Sequence, residues 1–104
     1  MYKFDLTRHE LGVLILDGHY EYNNHWVLEK IGDYYEATYD GLYKHIFISL
    51  EDLLICDYNK AIINVEYSEK ASDFFGEETF TDENDNMLCY IDNKPKLVKI
   101  NYSN

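Results

Sequence analysis

The sequence is poor in the residues that stabilise small secreted domains. Its 104 residues include only two cysteines, Cys56 and Cys89, without CxxC spacing, whereas disulfide-stabilised domains of this size carry several paired cysteines. Both cysteines stand among apolar neighbours. We therefore expect buried free thiols in a reducing cytoplasm rather than a disulfide framework.

Long apolar runs and basic residues are also scarce. The longest clean apolar stretch covers residues 13–16, far short of the about 20 residues that cross a bilayer, and no basic start with an apolar run behind it resembles an export signal. Nine Lys and Arg stand against twenty Asp and Glu, a net charge of −11. This charge disfavours direct contact with nucleic acid or an anionic membrane. The sequence predicts a cytoplasmic protein with neither partner.

Residue patterns that carry chemistry are missing as well. The four histidines lack the spacing of metal ligands, and the five glycines form no phosphate-binding loop. Asp82, Asn84 and Asn86 alternate like the start of a calcium-binding loop. The sixth position of that loop is Met87 instead of glycine, and the twelfth is Asn93 instead of glutamate. No cysteine or serine stands in a nucleophile motif. We expect no metal, no cofactor and no enzymatic activity.

What the sequence does contain is a series of short, alternating apolar segments with turn residues between them, which is typical of antiparallel strands. Asp40-Gly41 is a strong hairpin signal, because both positions tolerate a positive φ. Pro95 falls in the predicted turn of a C-terminal hairpin. The predicted strands cover residues 11–16, 19–22, 25–31, 34–39, 42–48, 61–67, 87–91 and 97–102.

Two short helices are predicted between the strands. Ser49, followed by Glu51 and Asp52, has the form of a helix start and predicts a helix over residues 50–58. Ser68 and Gly76 bracket a possible second helix over residues 68–75. We expect one α+β domain over residues 1–104, built mainly on an antiparallel sheet of about five to seven strands, with a meander, a C-terminal hairpin and one or two short helices.

The acidic charge is concentrated in one part of the chain. Residues 66–85 hold eight acidic residues and one lysine, a net charge of −7. Eleven tyrosines accompany the acids, and tyrosine suits interfaces that dock Arg and Lys side chains. Alternation in one strand predicts Tyr35, Ala37 and Tyr39 on the core face, and Tyr34, Glu36 and Thr38 toward solvent. The predicted partner-binding residues are Asp33, Tyr34, Glu36, Asp40, Glu77, Glu78, Asp82, Glu83 and Asp85.

The leading hypothesis is a non-catalytic inhibitor that covers the basic substrate site of a nuclease-like enzyme, most concretely an immunity protein that neutralises a bacterial toxin. A basic protein is the expected partner, because carboxylates can imitate phosphate charge. One alternative is a phage or mobile-element protein that mimics DNA to block a host defence or repair enzyme. Another is a small ligand-binding or catalytic domain with a pocket lined by Trp26 and tyrosines.

Overall fold

The computed structural model describes residues 3–103, and within them it contains three helices and eight strands. The elements in chain order are α1 (Arg8–Asp17), β1 (His19–Glu21), β2 (Trp26–Ile31), β3 (Tyr34–Tyr39), β4 (Tyr43–Phe47), α2 (Leu50–Ile55), β5 (Ile63–Tyr67), α3 (Glu69–Phe75), β6 (Phe80–Thr81), β7 (Asn86–Ile91) and β8 (Lys94–Lys99).

The strands form one sheet in which each strand pairs antiparallel with the next along the chain. This meander confirms the predicted α+β class. The sheet has eight strands, more than predicted, because β6 is a strand of two residues. Alternation over so short a segment gives no recognisable signal.

The strand predicted over residues 11–16 is wrong, because this segment forms most of helix α1. The hydroxyl of Thr7 accepts a hydrogen bond from the backbone N–H of Glu10, and the Glu10 carboxylate accepts one from the Thr7 N–H at 2.8 Å. This capping box starts the helix, and Gly18 ends it in the left-handed conformation at φ 75°. A short apolar run alone does not distinguish a strand from a helix. The capping box and Gly18 identify this segment as a helix.

The other two helices begin where they were predicted. Ser49 and Ser68 cap α2 and α3 through their side chains, and Gly76 ends α3 as expected. Helix α2 is shorter than predicted: it ends at Ile55, because Cys56 adopts the left-handed conformation at φ 51°. No helix in the described part of the chain is long and apolar enough to cross a membrane.

The C-terminal hairpin is confirmed, but its turn is shorter than predicted. Asp92 and Asn93 both have positive φ, 54° and 61°, and form the whole connection between β7 and β8. Pro95 therefore lies in β8, opposite Tyr90, rather than in the turn. Strand β8 is at the edge of the sheet and has a partner strand on one side only, which is where a sheet tolerates a residue that lacks an N–H.

Apolar residues are buried on both faces of the sheet. On one face α1 and α2 cover a cluster that includes Leu14, Leu28, Phe47 and Leu53. Tyr35 and Tyr39 pack against this cluster and Ala37 belongs to it, as the alternation of β3 predicted. The second cluster lies on the opposite face and comprises Ile46, Ile63, Val65 and Phe80, with Tyr34, Leu88 and Tyr90 packed against it.

The second cluster exists because the sheet curls over its own opposite face. Strands β3 and β7 are four positions apart in the sheet, which in a flat sheet is about 19 Å. The Tyr90 hydroxyl on β7 nevertheless donates a hydrogen bond to the carboxylate of Glu36 on β3. At the strand ends, a Cβ on Gly32 would lie 2.9 Å from the Cβ of Asn93. The hairpin tips of β2–β3 and β7–β8 are therefore in contact.

Both cysteines are free thiols. Cys56 is fully buried, and this burial raises the pKa of its thiol to about 11, so it stays protonated at neutral pH. Cys89 on β7 is only half-buried, which corrects the expectation that both thiols are shielded from solvent.

Candidate functional site

The residues predicted around β3 do not form one surface. Asp33 and Asp40 are both exposed, but they lie at opposite ends of β3, whose six residues span about 20 Å. Asp40 is also engaged within the chain. Its carboxylate lies 2.7 Å from Nδ1 of His25, and the His25 ring stacks on Tyr39 with 5.6 Å between ring centroids.

Glu36 is not available to a partner, which corrects its prediction as a solvent-facing binding residue. Its side chain is 1 % exposed and its Oε1 lies 3.3 Å from Nζ of Lys44. Its other oxygen accepts the hydrogen bond from Tyr90. Tyr34 is half-buried against the second cluster. Both residues hold the curled sheet together.

The acidic residues after α3 divide into exposed and turn-forming ones. Glu77, Glu78, Glu83 and Asp85 are exposed. Asp82 instead shapes the β6–β7 turn, because its Oδ1 accepts hydrogen bonds from two backbone N–H groups, those of Asn84 and Asn86, each at 2.9 Å.

The same hydrogen bonds set the charge state of Asp82. Desolvation raises the pKa of its carboxyl, but hydrogen bonds from Asn86 and Asn84 outweigh that effect, and the pKa is lowered overall. Lys99 donates to the Asn84 carbonyl at 2.9 Å. The ammonium group of Lys99, on β8, therefore lies beside the β6–β7 turn.

The structure brings two of the predicted residues, Asp82 and Glu83, to a shallow groove of about 170 Å³ on the sheet. We call it the acidic groove. Its lining consists of Tyr43, His45, Asn64, Val65, Glu66, Thr81, Asp82 and Glu83. Strand pairing builds it, since Tyr43 lies opposite Glu66 and His45 opposite Asn64. Paired residues in neighbouring strands project from the same face.

The floor of the acidic groove is fixed by the His45 ring. His45 is 7 % exposed, its Nδ1 lies 2.7 Å from Oδ1 of Asn64, and its ring stacks on Tyr58 with 4.1 Å between centroids. The Asn64 side-chain NH₂ donates to the Tyr58 carbonyl at 3.2 Å. The Asn64 oxygen therefore faces His45, which donates from Nδ1.

Burial also keeps this ring uncharged. Desolvation lowers the pKa of His45, although the hydrogen bond with Asn64 opposes the shift. The neutral ring adds no positive charge to the floor of the acidic groove at neutral pH.

The walls of the acidic groove carry charge of one sign. Glu66, Asp82 and Glu83 contribute carboxylates, and among the described residues that line it there is no Lys or Arg. Tyr43 is 45 % exposed at its rim. Carboxylates beside an exposed aromatic ring suit an Arg or Lys side chain, which can pair with the acids and stack on the ring.

Sequence reasoning predicted only two of the eight residues that line this groove, Asp82 and Glu83. The acidic run of residues 66–85 includes Glu66, but the predicted partner-binding residues contain neither Glu66 nor Tyr43, His45 and Asn64. Alternation in the predicted strands over residues 42–48 and 61–67 is a signal that could have helped, because it puts Tyr43 on the same face as His45, and Asn64 on the same face as Glu66. Only the register between β4 and β5 shows that the two pairs are neighbours.

Trp26 belongs to the core rather than to a binding pocket. Its side chain is 4 % exposed, and its ring contacts Phe4 and Tyr39 at centroid distances of 5.2 and 5.0 Å. This burial argues against the alternative of a ligand pocket lined by Trp26. In residues 3–103, no three His, Cys, Asp or Glu side chains are grouped so as to hold a metal ion.

Comparisons of the chain with protein-family models, with curated proteins and with solved structures give no match.

Proposed function

We propose that this protein is a non-catalytic inhibitor that acts in the cytoplasm by binding a cationic, nuclease-like enzyme. Its most concrete form is an immunity protein that neutralises a bacterial toxin. The observation that carries the proposal is the acidic groove, where Glu66, Asp82 and Glu83 surround a concave surface without a cation among its described lining residues.

The chemistry of the partner follows from the charge of the acidic groove. An enzyme that acts on nucleic acid presents Lys and Arg to the phosphates of its substrate. Glu66 and Glu83 can pair with these Lys and Arg side chains in place of phosphate. The neutral ring of His45 does not repel the cationic side chains. A guanidinium group gains most here, because it can form two parallel hydrogen bonds with a carboxylate and lie flat on Tyr43.

The net charge supports fast binding as well. A charge of −11 attracts a basic protein before contact and raises the association rate, whereas the strength of the final complex depends on a few close charge pairs. The overall charge and the acidic groove therefore act at different steps, and they can be tested separately.

The test begins with capture of the partner from source-cell extract on the immobilised protein at low salt, followed by an assay of the captured enzyme's activity. The double variant Glu66→Lys with Glu83→Lys is expected to lose inhibition by well over tenfold. Each lost close charge pair can be worth more than about 1.4 kcal/mol, one decade in affinity. Both side chains are exposed, so the fold should persist.

The matched control is Asp5→Lys with Glu21→Lys, which changes the net charge equally. Asp5 and Glu21 are exposed, and neither residue lines the acidic groove. Equal losses in both double variants would show that only net charge matters. No loss in the first variant would exclude the acidic groove as the binding site.

A further inference from the structure

Helix α1 has an outer apolar face that nothing in residues 3–103 covers. Leu14 on its inner side is fully buried, but Ile15 is 43 % and Leu16 85 % exposed. Residues 11–16 of α1 are apolar around the whole helix, and a helical segment of this kind is normally enclosed on all sides. The outer face of α1 therefore has the composition of an interface.

The shape of this face is complementary to itself. His9, Gly12, Val13, Leu16 and Asp17 line a shallow groove of about 280 Å³ on the helix, at the three- and four-residue spacings that share one helix face. Gly12 leaves a hole in it, since a Cβ at this position would meet nothing within 4 Å. One turn further, Leu16 protrudes as a knob.

The charges of the same face are complementary to themselves as well. Arg8 and His9 stand at the start of α1 and Asp17 at its end, and all three are exposed. If a second α1 lies antiparallel on the first, His9 of each copy comes beside Asp17 of the other. The two helix dipoles then also oppose each other, which is the favourable arrangement.

We infer that the protein forms a twofold dimer through antiparallel packing of α1 against α1 of a second copy. Leu16 of each copy fills the hole at Gly12 of the other, and His9 donates a hydrogen bond to Asp17 across the interface. A twofold interface needs this kind of self-complementary surface. The inference does not depend on the proposed function, because the acidic groove lies on β4, β5 and the β6–β7 turn.

The dimer is of the weak class. Ten residues of helix extend about 15 Å, so the contact is smaller than the about 800 Å² per partner of standard interfaces. Dimerisation at micromolar concentrations and above is the expected behaviour.

Sedimentation equilibrium of the full chain from about 1 to 500 µM tests the inference. The mass should rise from 12.4 kDa toward twice that value. Leu16→Lys and Gly12→Leu should each shift the transition at least tenfold to higher concentration. Leucine is a better helix former than glycine and meets open space at this position, so unfolding would not explain the effect of Gly12→Leu.

Exchanging the charges of Asp17 and His9 tests whether the two helices pack antiparallel. Asp17→Lys should weaken the dimer, and adding His9→Glu should restore it, because the new pair attracts in the antiparallel arrangement. The control is Leu42→Lys, which makes the same change as Leu16→Lys at a leucine 47 % exposed in the β3–β4 connection. A constant mass of 12.4 kDa would overturn the inference. So would a dimer that Gly12→Leu leaves intact or that Leu42→Lys weakens equally.

Discussion

Glu36 is a carboxylate in the middle of a sheet, and two neighbours, Lys44 and Tyr90, stabilise it there. Lys44, on the next strand, supplies the opposite charge at 3.3 Å, and the Lys44 ammonium also lies 4.4 Å from the ring centroid of Phe80. Tyr90 donates its hydroxyl hydrogen. Desolvation and the bond to Glu36 raise the pKa of Tyr90, so this hydroxyl remains a donor throughout the accessible pH range.

We predict that removing Lys44 destabilises the protein more than removing the Tyr90 hydroxyl. Lys44→Met leaves a buried carboxylate without its counter-charge, which should lower the free energy of unfolding by about 3–5 kcal/mol. Tyr90→Phe removes one hydrogen bond to a charged acceptor, worth about 1.5–3 kcal/mol. Urea unfolding measures both values.

Two further variants make this comparison decisive. Adding Glu36→Gln to Lys44→Met removes the unpaired charge and should recover part of the loss. Lys96→Met, the same substitution at an exposed position of β8, should change stability by under about 0.5 kcal/mol. If Lys44→Met has as small an effect as Lys96→Met, the pair with Glu36 does not stabilise the fold.

Glu36 also shows where residue-level prediction stops. Alternation correctly separated it from Tyr35 and Ala37, because side chains of a strand alternate between the two faces. It did not show that the second face is buried too. That burial depends on Tyr90, which is 54 residues away along the chain, and no local pattern around Glu36 reports such a contact.

At the scale of elements, two glycine turns provide a matched comparison. Gly32, between β2 and β3, and Gly41, between β3 and β4, both have positive φ, 59° and 68°. They differ in their surroundings. A Cβ on Gly41 would meet nothing within 4 Å, whereas a Cβ on Gly32 would lie 2.9 Å from both the Cβ and the carbonyl oxygen of Asn93.

Gly32→Ala should therefore destabilise the protein more than Gly41→Ala. Both variants lose about 1–2 kcal/mol to the left-handed backbone, and only Gly32→Ala must also push the β7–β8 turn away from the β2–β3 turn. The difference between their urea midpoints isolates the contact between the two hairpin tips. Equal midpoints would mean that these tips do not support each other.

The elements that were predicted correctly are those whose end residues have a strong conformational preference of their own. Ser68 and Gly76 delimited α3, and Asp40-Gly41 marked a turn, because these residues favour helix caps and positive φ wherever they stand. Helix α1 has an equivalent signal in Thr7 and Glu10, the spacing of a capping box. The prediction of a strand rested on the apolar run of residues 11–16 alone, without this signal, and was therefore wrong.

At the scale of the whole molecule, the acidic charge is less one-sided than its position in the sequence indicates. Strand β8 carries Lys94, Lys96 and Lys99 along an open edge of the sheet, where lysines discourage pairing with other chains. Lys99 also contacts the β6–β7 turn. The acidic groove could not be predicted because its walls combine β4, β5 and this turn, and their neighbourhood is set by sheet register.

The final prediction separates the overall charge from the acidic groove by kinetics. With the captured enzyme, the association rate should fall at least tenfold as salt rises from about 20 to 500 mM, because screening shortens the reach of the charges to a few ångströms, while dissociation changes less. Asp5→Lys with Glu21→Lys moves the net charge from −11 by four units to −7 and should slow association alone.

Glu66→Lys with Glu83→Lys makes the same change in net charge but should also speed dissociation, because it removes close pairs in the final complex. Stopped-flow mixing gives the association rates, and displacement by excess unlabelled protein gives the dissociation rates. An association rate independent of salt would rule out attraction by net charge. Equal dissociation rates for the two double variants would leave the acidic groove without a role in holding the partner, because net charge acts mainly on association, whereas close charge pairs in the contact determine how long the complex lasts.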